Sequence, residues 1–217
     1  MKNLNKIAFF DFDGTLTTKD TLLPFCLFVV GIKKFLYHLP KIIPIVSMYL
    51  FNIIDNAVAK ERFLTIILSN IQLNQLELKA NLFALNVLNK YINKTVYQKL
   101  LHHLNNNDKV VIVSANLAIY LRYWANHHQI HQVIATELEV DNNTVTGKLA
   151  TANCYGVEKI IRIKAYLEKT KESYDYSYAY GNSRGDYEML QYANEAYFVR
   201  HNILEPVCNL AIDSKKS

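Results

Sequence analysis

Five short apolar runs, rich in β-branched and aromatic residues, alternate with helical stretches along this 217-residue chain. The runs comprise residues 7–10, 110–115, 132–140, 176–181 and 196–200. The helical stretches between them include residues 116–129 and 157–170. Strands that are apolar on both faces and alternate with helices form mostly parallel sheets covered on both sides. The pattern therefore predicts an α/β fold.

Two segments depart from this alternation. The stretch ELEVDNNTVTGKLA predicts a β-hairpin with its turn at Asp141, Asn142 and Asn143. Residues 20–105 contain no convincing strand and are predicted to form several helices. We therefore expect a core of residues 1–19 and 106–217, with residues 20–105 inserted as a helical cap. The cap follows the first strand directly, so it should lie over the carboxyl end of the sheet, where open α/β sheets bind ligands.

Polar residues follow the apolar runs on that same side of the predicted sheet. Asp11 and Asp13 end the first run, in the stretch FFDFDGT. Carboxylates are costly to desolvate alone, so such a pair usually holds a cation. Four further residues fall on this side: Ser114, Lys159, Asn182 and Asp186.

These residue types suit phosphoryl transfer. A phosphate monoester is dianionic, so an attacking carboxylate needs a cation such as Mg²⁺ to reduce the repulsion. Asp11 would form an aspartyl phosphate, and Asp13 would protonate the leaving oxygen and then activate water. Lys159 would place a fixed positive charge on the phosphoryl oxygens. Ser114 and the neighbouring backbone N–H groups would bind the same oxygens.

The stretches DFDGTLT, VIVSAN, CYGVEK and GNSRGD, in this order, resemble the four motifs of the haloacid dehalogenase superfamily of phosphohydrolases. The resemblance extends from residue 7 to about residue 200. It is strongest to the subfamily with a helical cap after the first motif, which includes phosphoserine phosphatase and phosphatidylglycerophosphatase C. It implies a Rossmann-like core, Mg²⁺ as cofactor and hydrolysis of a phosphate monoester.

The resemblance also implies roles for individual residues. Asp11 and Asp13 would be catalytic. The residues expected to bind phosphate or substrate are Ser114, Ala115, Asn116, Lys159 and Asp20. Those expected at the metal are Asp11, Asp13 through its backbone carbonyl, Asn182 and Asp186. Asn182 departs from the family pattern, where aspartate is common, and an amide oxygen brings one negative charge fewer to Mg²⁺.

Each of these residues also has a simpler interpretation. A calcium-binding turn could explain the two first aspartates, but the terminal glutamate of an EF-hand is missing. Ser114 alone would be an ordinary hydroxyl at a strand end. Lys164 lies in the same predicted helix as Lys159, and we interpret it as a solvated surface lysine. Asp186 could instead cap the helix that follows it.

Residues 22–54 are apolar and basic. Their formal charges are Lys33, Lys34 and Lys41, and no acidic residue occurs among them. The uncharged runs on either side of the lysines are shorter than the roughly 20 residues of a membrane-spanning helix. We expect two short helices joined by a bend marked by the lysines and by Pro40 and Pro44. They could insert shallowly into a membrane interface, or pack against the core and each other.

Three hypotheses for function follow. The first is a Mg²⁺-dependent phosphatase of a lipid-linked phosphomonoester such as phosphatidylglycerophosphate, with peripheral membrane contact through residues 22–54. The second is a soluble phosphatase of the phosphoserine type. The third, suggested by Asn182, is a catalytically weak protein that binds phosphate or membrane.

We expect a cytoplasmic protein, with peripheral contact on the inner face of the membrane if residues 22–54 bind lipid. The three cysteines, Cys26, Cys154 and Cys208, are widely separated, which argues against disulfides and zinc sites. The apolar run near the amino terminus is broken by Asp11 before it reaches the length of a signal peptide core. The net charge of +5 comes without the dense basic runs of a nucleic-acid-binding arm.

Overall fold

The computed structural model describes residues 4–130 and 132–207. Nine strands occur within these residues: β1 (Lys6–Phe10), β2 (Ile71–Gln72), β3 (Lys109–Leu117), β4 (Gln132–Thr136), β5 (Leu138–Asp141), β6 (Thr144–Leu149), β7 (Tyr176–Gly181), β8 (Glu195–Arg200) and β9 (Ile203–Pro206). Seven α-helices accompany them: α1 (Leu22–Leu50), α2 (Asn56–Leu68), α3 (Leu73–Asn86), α4 (Lys94–Asn105), α5 (Ala118–His127), α6 (Val157–Thr170) and α7 (Tyr187–Tyr192). Shorter helical turns cover Phe12–Leu16, Leu88–Tyr91 and Arg184–Asp186.

Six strands form the main sheet, in the order β4-β3-β1-β7-β8-β9. All neighbouring strands pair in parallel except β8 and β9, which are antiparallel. The predicted α/β fold with a mostly parallel sheet is therefore confirmed. Strand β1 lies between β3 and β7, so the residues at the carboxyl ends of these three strands meet at one end of the sheet. This topology brings Asp11, Ser114 and Asn182 together.

Both faces of β1 are buried, each in its own apolar cluster. Ala8 and Phe10 belong to one cluster, whereas Ile7 and Phe9 belong to the other. Successive side chains of a strand point to opposite faces of its sheet, so the two clusters are the two covered sides. Burial on both faces explains why the sequence of this strand is continuously apolar rather than alternating.

The predicted hairpin forms, but it belongs to a second sheet. Asn142 and Asn143 both have positive φ, at 46° and 60°, as a two-residue hairpin turn between β5 and β6 requires. The single run predicted over residues 132–140 is divided at Glu137 into β4 and β5. The expectation that residues 20–105 contain no strand is wrong, because Ile71–Gln72 pairs with β6 and extends the hairpin to three strands.

Residues 20–105 are otherwise helical, as expected. Helix α4, at the end of this interval, packs against β3 and β9 of the main sheet. The proposed division of the chain at residues 19/20 and 105/106 stays a prediction. Residues 1–3, 131 and 208–217 of the predicted core, including Cys208, lie outside the described part of the chain.

Helix α1 bends at a different residue from the one predicted. The break is at Gly31, with φ 77° and ψ 158°, whereas Pro40 and Pro44 lie inside the helix. Both prolines are exposed, so water can hydrate the carbonyl groups that lack an N–H partner. By length and composition, α1 is the one helix of residues 4–130 and 132–207 that could cross a membrane. Its most apolar 18-residue window is only 11% buried.

Candidate active site

Asp11 stands at the carboxyl end of the central strand and is 6% exposed. Its backbone N–H donates to the carbonyl oxygen of Tyr180 at 2.9 Å, which ties the start of the loop to β7. The loop then turns sharply at Gly14, where φ is 77°. A Cβ atom on residue 14 would lie 2.2 Å from the amide nitrogen of Asn182. Only glycine fits this turn, because a side chain would be strained and would also strike Asn182.

Lys159 is the buried cation of the site. It lies in the first turn of α6, and its Nζ donates to Asp11 Oδ1 and Asp186 Oδ1, both at 2.6 Å, and to the carbonyl oxygen of Val113 at 2.9 Å. Burial alone would lower the pKa of Lys159, but the two carboxylates outweigh it and raise the pKa above its ordinary value. Lys159 therefore stays charged, and all three of its donors have partners.

Asp186 holds this arrangement from the opposite side. Its Oδ2 accepts hydrogen bonds from the backbone N–H of Asn182 at 3.0 Å, and from the backbone N–H and the hydroxyl of Ser183 at 2.9 and 2.8 Å. It also completes a capping box with Ser183 at the start of the Arg184–Asp186 turn. Asp186 thus caps the Arg184–Asp186 turn and orients Lys159 at the same time, whereas its side chain makes no capping hydrogen bond to α7, the helix that follows. Its expected contact with metal stays a prediction.

Asp13 faces the cap rather than Lys159. Its Oδ1 accepts from the backbone N–H and the hydroxyl of Thr21, at 2.9 and 2.6 Å, and its Oδ2 accepts from the amide of Asn116. Burial, and then the nearby charge of Asp20, raise the pKa of Asp13 to about 7 although these hydrogen bonds oppose the shift. A carboxyl group with such a pKa can both donate and accept a proton near neutral pH.

The three predicted phosphate-binding residues at the end of β3 have different environments. The hydroxyl oxygen of Ser114 accepts the N–H of Asn116 at 3.0 Å, which leaves the hydroxyl proton free to point into the cleft. The carbonyl oxygen of Ala115 accepts from Thr136 Oγ1 at 2.7 Å. The side chain of Asn116 is already bound to Asp13 and Thr21. A register shift between β3 and β4 at Ser114 and Leu117 lets this segment curve toward the cleft.

Three oxygens lie close enough together to bind a small hard cation: Asp11 Oδ2, the carbonyl oxygen of Asp13 and the amide oxygen of Asn182. Asn182 Oδ1 lies 3.1 Å from Thr15 Oγ1, and the same amide position is 3.2 Å from Asp11 Oδ2 and 3.0 Å from the carbonyl oxygen of Asp13. Octahedral Mg²⁺ holds its oxygens at about 2.1 Å, which places adjacent ligands about 3 Å apart. If the oxygen and nitrogen of the Asn182 amide exchange places, the nitrogen donates to Thr15 Oγ1, Asp11 Oδ2 and the carbonyl oxygen of Asp13. The donor set of Asp11, the Asp13 carbonyl and Asn182 therefore fits Mg²⁺.

This set contains a single carboxylate ligand. Among residues 4–130 and 132–207, no group of three or more His, Cys, Asp and Glu side chains has the geometry of a metal site. An amide and a backbone carbonyl supply the other two oxygens here. We therefore expect weaker Mg²⁺ binding than a site with two carboxylate ligands would give.

A cleft of about 340 Å³ connects these residues to solvent. Its polar floor includes Asp11, Asp13, Ser114 and Lys159. Its upper wall comes from the helices between residues 20 and 105 and is mainly apolar: Leu22, Ile45, Val46, Tyr49, Ala59 and Phe63. Asp20 lines the rim, where its Oδ1 accepts the backbone N–H of Leu22 at 2.8 Å and so caps α1.

Lys60 is a site residue that the sequence patterns missed. It lies in α2, lines the cleft, and donates to the carbonyl oxygen of Ala115 and to Asn153 Oδ1, the latter at 3.1 Å. Burial lowers the pKa of Lys60 to about 8. No local motif marks this lysine, because only the packing of α2 against α1 and β6 brings it to Ala115 at the end of β3. Thr15 and Thr21 were also missed, although Thr15 stands within the first motif.

Other predicted residues lie away from the site. Lys164 is exposed on α6, with its ammonium 5.8 Å from the centre of the Tyr192 ring. Cys26 and Cys154 are buried free thiols, and burial raises the pKa of Cys154 to about 11. Cys154 is therefore protonated and unreactive at neutral pH.

Comparison with known proteins agrees with this geometry. A model of the haloacid dehalogenase-like hydrolase family matches residues 8–191. Protein CicA of Caulobacter vibrioides is 27% identical over 187 residues, which are 86% of this chain and 82% of CicA. A protein of unknown function from Bordetella pertussis Tohama I has a similar fold, with a TM-score of 0.78, 19% identity and coverage of 89% of both chains. A phosphoserine phosphatase, solved as a phospho-aspartyl intermediate analogue, has a TM-score of 0.61 and 14% identity, covering 89% of this chain and 86% of its own.

Proposed function

The chain belongs to the haloacid dehalogenase-like hydrolase family, and from that premise we propose that it is a phosphatase that hydrolyses a phosphate monoester through Asp11. The observation that carries this proposal is the contact of the Lys159 ammonium with Asp11 at 2.6 Å. It places a nucleophilic carboxylate and a permanent positive charge at the floor of one cleft. A dianionic phosphoryl group entering that cleft would meet both.

The reaction has two steps. In the first, an oxygen of Asp11 attacks phosphorus, the bond from phosphorus to the ester oxygen breaks, and the leaving alkoxide takes a proton from Asp13. In the second, water attacks the phosphorus of the aspartyl phosphate and gives its proton to Asp13. The bond from phosphorus to Asp11 then breaks and inorganic phosphate leaves. The raised pKa of Asp13, about 7, supports both of its roles.

Two residues of the floor would hold the phosphoryl group during these steps. Lys159 keeps its charge and its three donors are already bound, so it would act on the phosphoryl group through its fixed positive charge. The free hydroxyl proton of Ser114 can donate to a phosphoryl oxygen. We assign the attack to Asp11 Oδ1, next to Lys159, because Asp11 Oδ2 already accepts from Thr15 and faces the Asn182 amide.

Magnesium is the cofactor that the donor set suits. Asp11 Oδ2, the carbonyl oxygen of Asp13 and the amide oxygen of Asn182 would hold it. When bound, it would supply positive charge that lowers the repulsion between the Asp11 carboxylate and the phosphate. Thr15, which donates to Asp11 Oδ2 at 3.0 Å, fixes the orientation of that carboxylate.

We infer that the substrate is a phosphomonoester linked to a lipid, such as phosphatidylglycerophosphate. The wall of the cleft contributed by α1 and α2 is mainly apolar, which suits a hydrophobic leaving group better than a small zwitterion. Lys60 adds a second cation to the cleft, next to Ala115 and Asn153. A second anionic group of the substrate, such as a phosphodiester, would fit against it. The protein would then act as a cytoplasmic enzyme at the inner face of the membrane.

A substrate panel tests this proposal. Purified protein with millimolar Mg²⁺ should release phosphate from a short-chain, soluble phosphatidylglycerophosphate with a higher kcat/KM than from phosphoserine. A preference for phosphoserine would favour the soluble phosphatase instead, the activity named for several proteins of similar fold. No turnover of any phosphomonoester, with Asp11→Asn indistinguishable from the natural sequence, would leave the catalytically weak protein as the remaining hypothesis.

A further inference from the structure

The segment of α1 after Gly31 carries a continuous exposed apolar stripe. Five residues, spaced four, seven, three and four apart, align along one side of the helix: Ile32, Leu36, Ile43, Val46 and Leu50. Their exposure ranges from 44% for Val46 to 70% for Leu50. Phe51 and Ile53, just beyond the helix, are 78% and 66% exposed. We call these seven residues the docking face. Apolar surface of this extent usually marks a binding surface.

Charge indicates which partner would cover the docking face. Lys33, Lys34 and Lys41 are exposed on the same helix, and residues 22–54 contain no acidic residue. Lys34 and Lys41 are seven residues apart and lie on the side of the helix away from the stripe. An apolar stripe with lysines on the polar side is the pattern of helices that lie in an anionic membrane interface.

The docking face is continuous with the cleft. Val46 belongs to both, and Ile45 and Tyr49 of the same helix line the cleft that leads to Asp11. One helix thus forms the outer apolar surface and the apolar wall of the candidate active site. A substrate that leaves a bilayer at this surface would reach the cleft without crossing water.

We propose that the docking face lies on an anionic phospholipid bilayer and delivers the phosphorylated headgroup of a membrane lipid to Asp11 while the acyl chains stay in contact with lipid. The part of this proposal that concerns substrate delivery rests on the proposed function. The part that concerns membrane binding does not, because it depends only on the exposed face and its lysines.

The helix lies on the bilayer and does not span it. Lys41 is near the middle of residues 32–50, so a spanning arrangement would place its charge in the hydrocarbon core. Ile42, beside it, is 4% exposed and packs in the main apolar cluster. Insertion across the membrane would pull Ile42 and the cleft wall away from the rest of the protein.

Vesicle flotation of the full chain tests membrane binding. The probes are vesicles of phosphatidylcholine alone and of phosphatidylcholine with phosphatidylglycerol. We expect binding to the anionic vesicles, weakened by salt. The double variant Leu36→Glu/Leu50→Glu should reduce the partition coefficient by about tenfold or more, because two apolar side chains leave the lipid. The double variant Lys33→Gln/Lys34→Gln should reduce it roughly fivefold for each lysine on anionic vesicles only.

The matched control is Ile161→Glu. Ile161 is an apolar residue of similar exposure, 53%, but it lies on α6, outside the docking face. It should leave vesicle binding unchanged. Equal vesicle binding by Ile161→Glu and Leu36→Glu/Leu50→Glu, or no vesicle binding by the natural sequence, would overturn the proposal. So would conversion of a dimer to a monomer by Leu36→Glu/Leu50→Glu without any vesicle binding, because the face would then join two copies.

Activity assays separate this proposal from the proposed function. The docking-face variants should hydrolyse a soluble short-chain lipid phosphate at the normal rate but lose activity on the same headgroup in vesicles. Hydrolysis of the soluble substrate together with no vesicle binding would overturn the docking proposal alone. Vesicle binding without hydrolysis of any phosphomonoester would overturn the proposed function and the delivery step, while the membrane contact would stand.

Discussion

Lys159 and Asp11 form a buried ion pair, with Lys159 Nζ 2.6 Å from Asp11 Oδ1 and with side chains that are 1% and 9% exposed. Asp186 makes the same contact from the other side, at 2.6 Å and 1% exposed. One lysine therefore neutralises part of the charge of two carboxylates in the core. The arrangement has consequences for stability as well as for phosphate binding.

Replacing Lys159 with methionine should destabilise the fold by about 3–5 kcal/mol at pH 8, because it leaves two carboxylates buried without a cation. Burial and the charge of Asp186 already raise the pKa of Asp11 to about 6 with Lys159 present, and the variant should raise it further. The unpaired charge destabilises the variant only at pH values where Asp11 is ionised. The loss in free energy of unfolding relative to the natural sequence should therefore shrink as the pH falls toward 5. Urea unfolding at both pH values without divalent cations measures it.

Lys164→Met is the control for this experiment, since Lys164 is exposed on the same helix. It should change the free energy of unfolding by no more than about 0.5 kcal/mol. A deficit of Lys159→Met that is equal at pH 8 and pH 5 would mean that lost packing, and not unpaired charge, is responsible.

Asn182→Asp should lower the Mg²⁺ concentration for half-maximal activity by roughly tenfold, because a second carboxylate ligand adds negative charge to the site. The rise in melting temperature with added Mg²⁺ gives a readout that does not depend on turnover, and it should shift in parallel. An unchanged Mg²⁺ dependence in both measurements would mean that Asn182 is not near the metal.

Gly14→Ala should impair both folding and Mg²⁺ binding. Gly31→Ala is its matched control, since both glycines have φ of 77° but nothing lies within 4 Å of a Cβ at residue 31. Each variant should lose about 1 kcal/mol or more from the positive φ. Only Gly14→Ala should displace Asn182 and raise the Mg²⁺ requirement. Equal Mg²⁺ binding by the two variants would contradict the close contact of Gly14 with Asn182.

Lys60 should make substrate affinity depend on pH. Its pKa is lowered to about 8 by burial, so its positive charge is lost as the pH rises through that value. The KM for a substrate with a second anionic group should therefore increase between pH 7 and pH 9. Lys60→Met should raise KM at pH 7 and remove this increase. A KM of Lys60→Met that still rises over the same range would assign the pH dependence to another group.

Local patterns were sufficient for the elements with strong periodicity. Strand β7 and helix α6 have the predicted bounds, 176–181 and 157–170, because apolar spacing and flanking turn residues mark both ends. The proximity of Asp11, Ser114 and Asn182 followed from one rule, that the ends of parallel strands meet. Lys159 was expected beside them because its helix begins on the same side of the sheet.

Structural features that depend on contacts between distant segments of the chain could not be predicted from local patterns. Strand β2 is two residues long and exists because β6 lies beside it. Lys60 reaches the cleft through the packing of α2, and no motif in the neighbouring sequence marks it as a site residue. The break of α1 is at Gly31, which has the positive φ that glycine allows. Pro40 and Pro44 do not break the helix, because water at its exposed surface can hydrate the carbonyl groups that the prolines leave without a partner.

The proposed reaction requires that Asp11 become phosphorylated, and trapping the phosphorylated residue tests it. Borohydride added during turnover of a phosphomonoester should reduce an aspartyl phosphate at residue 11 to homoserine, which mass spectrometry of the peptide that contains FFDFDGT would detect. We expect homoserine at residue 11 only when substrate and Mg²⁺ are present, and none in Asp11→Asn. An unmodified Asp11 in enzyme trapped during active hydrolysis, or reduction at another carboxylate, would contradict it.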